Sequence, residues 1–137
     1  RRNRGHICNI ASAGGMLGNP KMSVYGASKW AVIGWSESMR IELQQRKANV
    51  HVTTVAPYFI STGMFQGVRS IFPILKPEPT AKKIIRAIER NTIFAGIPFN
   101  YHFIRFWQAI LPLRAFDWLF GTVFGIYRTM DHFTGRK

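Results

Sequence analysis

The chain is short of cysteine, of acid and of long apolar runs. Its one cysteine, Cys8, excludes an intramolecular disulfide and any multi-cysteine metal site, and makes a reducing compartment the default reading. Six Asp and Glu stand against 19 Lys and Arg in 137 residues, a formal net charge of +13. No uncharged apolar stretch reaches the length of a membrane-spanning helix, although a helix lying in a membrane interface stays open. The four histidines, His6, His51, His102 and His132, have no metal-ligand spacing, so no metal site is expected. The sequence opens Arg1-Arg2-Asn3-Arg4-Gly5, without Met or a signal pattern, and goes straight into an apolar run; a missing amino-terminal part is the expectation.

What is present is enough for one globular domain. A hydrophobic share of 47% excludes disorder in spite of the charge. The excess charge is spread evenly along the chain, +6 over residues 1–68 and +7 over 69–137. No basic cluster sits beside exposed aromatics, so no nucleic-acid partner is expected.

Ile7 to Ala11 reads as a buried strand ending in the loop Ser12-Ala13-Gly14-Gly15. From about Met22 to Lys47 the pattern is helical, with a stripe Val24, Ala27, Ala31, Gly34, Ser38 and Ile41 whose small members Ala27, Ala31, Gly34 and Ser38 predict helix–sheet or helix–helix packing. A second strand, Val50 to Val55, breaks at Pro57. Strand, long helix and strand make a βαβ unit and so a parallel sheet. An irregular stretch runs to Pro79, Thr80 is expected to cap a helix from Ala81 to about Asn91 with Ile84, Ile85 and Ile88 inward, and Thr92 to Ile97 is a third strand. Twelve of the chain's 19 aromatics lie at or beyond Phe94. Phe99, Phe103, Phe106 and Ile110, then Phe116, Phe120, Val123, Phe124 and Tyr127, repeat at helical spacing on either side of Pro112. That stripe is either core or a lid, tunnel or membrane-surface element.

The chemistry-bearing signal is Tyr25-Gly26-Ala27-Ser28-Lys29. Residues four apart on a helix share a face, and an ammonium one turn away favours the ionised form of a phenol, which makes Tyr25 a candidate general acid/base. The pair alone is weak. Ser12, at the carboxyl end of a parallel strand where α/β sheets bind ligands, strengthens it. Asn9-Ile10-Ala11-Ser12, then Tyr25-Gly26-Ala27-Ser28-Lys29, then Val55-Ala56-Pro57 with Thr62, resembles the carboxyl-terminal half of a short-chain dehydrogenase/reductase, over Gly5 to about Met64. The endings Pro57-Tyr58-Phe59-Ile60-Ser61-Thr62-Gly63-Met64-Phe65 and Met130-Asp131-His132-Phe133-Thr134-Gly135-Arg136 are similar to the branch holding the epidermal retinol dehydrogenases and membrane-associated 17β-hydroxysteroid dehydrogenases.

The resemblance implies an α/β fold, the carboxyl-terminal part of a Rossmann-type doubly wound parallel sheet over residues 1–97, followed by an aromatic-rich helical tail over 98–137. It implies NAD or NADP as cofactor and a lipophilic alcohol or carbonyl compound as substrate, in a cytoplasmic or peripheral-membrane enzyme. Ser12, Tyr25 and Lys29 would be catalytic. Ile10, Ala11, Tyr25, Lys29, Pro57, Tyr58, Ile60 and Thr62 would meet the cofactor, and Ser12, Ala13, Gly14 and Tyr25 the substrate. In the family the helix bearing Tyr25 often forms a dimer interface, and an inactive binding or scaffolding protein of the same fold is the alternative. Tyr58 departs from the glycine common after Pro57, which puts the shape of the nicotinamide-side loop in doubt. The family's glycine-rich pyrophosphate loop, its NAD/NADP discriminator and its catalytic asparagine belong to the first half of the fold, so these 137 residues by themselves are expected neither to bind a dinucleotide tightly nor to turn over.

Overall fold

The computed structural model describes residues 3–99 and 102–135; Arg1, Arg2, Tyr101 and Arg136, named above, lie outside them. β1 (Arg4–Ile10), β2 (Asn49–Pro57) and β3 (Phe94–Ile97) form a parallel sheet in the order β1-β2-β3. Ile7 lies opposite Val52 and Ile10 opposite Val55, while Pro57 lies opposite Ile97. β2 is buried from Val52 to Pro57, as a central strand covered on both faces must be. Thr53 on it is satisfied locally: His6 Nε2 and Thr53 Oγ1 share a 2.8 Å hydrogen bond.

The crossover from β1 to β2 is α1 (Ser23–Gln45), and α2 (Pro77–Glu89) leads into β3. Both helices stop in the same way. Lys47 and Asn91 take left-handed φ angles of 52°, and Ala48 N and Thr92 N donate back to the carbonyls of Leu43 and Ala87, closing orphaned groups of the last turn.

Three sequence expectations are corrected here. Of the two packing roles expected for the stripe Val24, Ala27, Ala31, Gly34, Ser38 and Ile41, the helix–sheet one does not hold: the stripe is exposed, Val24 to 84%, and α1 instead buries Ile33 and Ser36. Ser36 Oγ accepts from Asn9 Nδ2 at 2.9 Å, which ties that face to β1. In α2, Thr80 is not the cap. The helix starts at Pro77, a residue whose fixed φ and missing N–H suit a first turn, and Thr80 Oγ1 donates to the Lys76 carbonyl from inside it. The inward stripe is then Thr80, Ile84, Ala87 and Ile88, leaving Ile85 54% exposed.

The tail forms α3 (His102–Ile110) and α4 (Leu113–Phe116), which runs on as a π-helical segment, Asp117–Val123, before a 3-10 turn at Ile126–Arg128. Its aromatic stripe is divided. Phe99, Phe103, Phe106 and Ile110 face outward, and the inward residue of α3 is Ile104, 6% exposed. Ile104, Phe116 and Ile126 join Ala11, Ala13, Met16, Leu17, Ile33 and Ala56 in one core cluster. The chain end returns beside the start of α1, where Met130 packs with Met22, Phe59 and Val68.

Candidate active site

The site begins where β1 ends. Ser12 leaves the strand in an extended conformation (φ −167°, ψ 158°), and its Oγ accepts from Gly14 N at 3.2 Å, opening the 3-10 turn Ala13–Gly15. That turn lies directly on α1. A Cβ placed on Gly15 would stand 2.7 Å from both the carbonyl carbon and oxygen of Lys29, and one placed on Gly14 would stand 3.3 Å from Cε1 of Tyr25 and 3.7 Å from Ser12 Oγ. The two glycines therefore let the strand end, the Tyr25 ring and the α1 backbone come together.

Tyr25 and Lys29 sit one turn apart on the half-buried side of α1. Lys29 Nζ donates to the Ile10 carbonyl at 3.1 Å and lies 5.8 Å from the centre of the Tyr25 ring. The ring also makes an edge contact with Phe65, 5.8 Å between centres. The ammonium is thus anchored to the end of β1 while it flanks the phenol.

Beyond Pro57, the chain closes the cavity from the other side. Ile60 pairs with Leu75, with Ser61 N donating to the Leu75 carbonyl and Leu75 N to the Phe59 carbonyl, so the base of the loop between them is pinched shut. Tyr58 braces the same loop: its hydroxyl shares a 2.6 Å hydrogen bond with Ser70 Oγ, and its ring packs against Phe59 and Phe72. Tyr58, in place of the glycine common there, is thus a strut across the loop.

All the sequence-derived candidates line one cavity of about 220 Å³: Ile10, Ala11, Ser12, Ala13, Gly14, Tyr25, Lys29, Pro57, Tyr58, Ile60 and Thr62. Sequence reading missed the apolar remainder of the wall, Leu17, Met22, Phe59, Met64, Phe65 and Ile126, because these residues lie on four separated segments. It also missed Gly15, whose doubled glycine was visible but whose contact with Lys29 was not. Cys8 is half-buried with its thiol pKa pushed up by burial, so it stays a thiol. Among the described residues no three His, Cys, Asp or Glu come together as metal ligands, and no helix is long and apolar enough to cross a membrane.

Comparison with known proteins gives matches along the whole chain. A sequence model of the family described as short chain dehydrogenase matches residues 1–71. Mouse epidermal retinol dehydrogenase 2 is 38% identical over 98% of this chain and 45% of its own length, and the human protein of that name is 35% identical over 97% and 44%. The chain spans less than half the length of these relatives. Among solved structures, a short chain dehydrogenase from Burkholderia cenocepacia in complex with NADP superposes with a TM-score of 0.70 at 25% identity, over 84% of this chain and 46% of that one.

Proposed function

The chain belongs to the short-chain dehydrogenase family, and from that premise we propose that it supplies the catalytic half of a nicotinamide-dependent oxidoreductase acting on a lipophilic alcohol or its carbonyl counterpart. The observation that carries this reading is the meeting of Ser12, Tyr25 and Lys29 in one cavity with Pro57, Ile60 and Thr62. Residues 1–97 are assigned the cofactor side and the catalytic groups, and residues 98–137 the outer wall.

The donor set fits a dinucleotide, NAD or NADP. The Lys29 ammonium, fixed at the strand end, suits ribose hydroxyls, and Thr62 with the backbone of Ile60 suits a carboxamide. When bound, the cofactor supplies hydride exchange with the substrate carbon. Everything else falls to side chains. The Ser12 hydroxyl already accepts from Gly14 N and keeps its own hydrogen to orient the substrate oxygen. Tyr25 takes the hydroxyl proton in oxidation and returns it in reduction. Lys29 supports the charge that forms on the phenol oxygen meanwhile.

The tail supports attachment to a lipid surface. Phe103, Phe106 and Ile110 project from α3, Leu113 and Trp118 follow, and Arg114 and Arg128 are exposed among them. Exposed aromatics with flanking cations, on helices too short to span, match an element that lies in an anionic interface.

The test is Tyr25→Phe in the intact gene product that carries this sequence, assayed with retinol and with straight-chain alcohols against NAD and NADP. Turnover is expected to vanish while dinucleotide binding persists. Retention of more than a few per cent of wild-type turnover refutes the assignment.

A further inference from the structure

Ile126 is buried where three cavities meet. It lines the active cavity beside Leu17. With Leu17 it also lines a second cavity of about 430 Å³, bounded by Gly18, Trp30, Leu113, Phe116 and Tyr127, and it borders a third of about 160 Å³ against Phe103, Phe120 and Phe124. The wall common to the active cavity and the second one is therefore made by two aliphatic side chains.

As the described residues form it, the active cavity is small. At about 220 Å³ it falls under the roughly 300–1,000 Å³ usual for ligand pockets, and Pro57, Tyr58, Ile60 and Thr62, assigned above to the cofactor, occupy one side of it. A lipophilic alcohol can place its reacting carbon there but not its body. We infer that the apolar tail passes between Leu17 and Ile126 into the 430 Å³ cavity, so that these two residues set the length of substrate accepted. The inference rests on the proposed oxidoreductase reading and names where its substrate lies.

The chemistry of the second cavity fits a tail without a polar end. Three of its polar side chains are engaged: Tyr127 donates from its hydroxyl to Asp117 Oδ1 at 2.6 Å, and Gln108 Nε2 donates to the Met16 carbonyl at 2.5 Å. Asp117 also opposes an anionic end such as a carboxylate. The far wall is fixed, because Gly121 lies so close to the Tyr127 ring that any side chain there would collide with it. The third cavity is smaller and shares only Ile126 with the active one.

Gly18→Phe fills the second cavity from a position where an added Cβ meets open space. In the intact gene product, kcat/KM for primary alcohols from butanol to dodecanol should rise by up to about fourfold per methylene buried, the equivalent of about 0.8 kcal/mol. In Gly18→Phe the rise should stop several methylenes earlier, cutting the dodecanol-to-butanol ratio at least tenfold. Ile126→Ala should widen the opening and raise the relative rate on branched alcohols; because it also removes a core side chain, Gly18→Phe carries the decision. Calorimetric binding of dodecanol reads the same cavity without turnover. Binding weakened tenfold in Gly18→Phe supports the inference even where no alcohol is oxidised, an outcome that would sink the redox reading alone. An unchanged chain-length profile together with unchanged dodecanol binding overturns the inference.

Discussion

Gly15→Ala adds one methyl group where the site has no room for it. Its Cβ would stand 2.7 Å from Lys29 C and O and 3.0 Å from Ile33 Cδ1. The Ile33 methyl can turn aside, but the Lys29 carbonyl belongs to the backbone of α1, so the 3-10 turn and the helix must part. Ordinary contact begins near 3.4 Å, so the separation required is about 0.7 Å. Overpacking of this kind costs about 1–3 kcal/mol of stability. The same shift moves Lys29 and Tyr25 away from Ser12, and misplacement approaching ~1 Å costs on the order of 10²-fold in rate. Urea unfolding of the intact gene product, with kcat/KM measured where circular dichroism shows it folded, separates the two effects. Gly34→Ala is the control: it lies on the exposed face of α1 with open space around it, and should gain about 0.5–1 kcal/mol. One substitution type is thus expected to take opposite signs nineteen residues apart. Gly15→Ala with wild-type stability and kcat/KM within a factor of two would refute the packing argument.

Lys29→Met should weaken dinucleotide affinity and turnover together, each by about 10–100-fold, as loss of charge-assisted hydrogen bonds predicts; unchanged affinity in a direct titration would confine Lys29 to the phenol. Tyr127 has its pKa pushed from about 10 up to about 12 by burial and by the Asp117 carboxylate that its hydroxyl meets. The folded state holds that proton more tightly, so its contribution is full below pH 10 and lost as pH climbs through 12. Urea midpoints between those values should fall more steeply for the wild type than for Tyr127→Phe, and parallel curves would contradict this. The intact gene product should co-sediment with phosphatidylserine-containing vesicles, with salt weakening the binding only in part. Replacing Phe103 and Phe106 by Ser should cut it at least tenfold, given about 1.5–3 kcal/mol per large apolar side chain; no sedimentation at low salt would return the aromatics to a packing role.

The sequence made the βαβ unit legible because β-branched runs and a proline-free helix of this length admit few alternatives. It also carried Tyr25 and Lys29, whose spacing places them on one face whatever the helix packs against. It did not show which face of α1 meets the sheet. Small residues recur along one side and Ile33 and Ser36 along the other, and periodicity alone cannot choose between two stripes when Trp30 and Trp35 are themselves exposed. In α2, Pro77 and Pro79 suggested continued loop, whereas they occupy the first turn, the place in a helix where proline costs least. The aromatic tail was ambiguous for a further reason: helical spacing defines a stripe, and only the neighbour that covers Ile104 shows that Phe103 and Phe106 point the other way.

Thr129 to Thr134 tether the loops of the active cavity from two sides. Asn19 Nδ2 donates to Thr129 Oγ1 across 110 residues of sequence, Lys21 Nζ reaches the Met130 carbonyl across 109, and Arg69 N and Thr134 N bond with Thr129 and Gln66 to fasten the loop beyond β2. Contacts of such sequence separation form late, since the intervening chain must be ordered before they can close. On the ribosome they cannot form at all until Thr129 and Met130 have left the exit tunnel. The sheet and α1 can therefore be assembled during synthesis while Tyr25 still faces an open groove, so that the pocket closes only once Thr129 to Thr134 have emerged and clasp the two loops together.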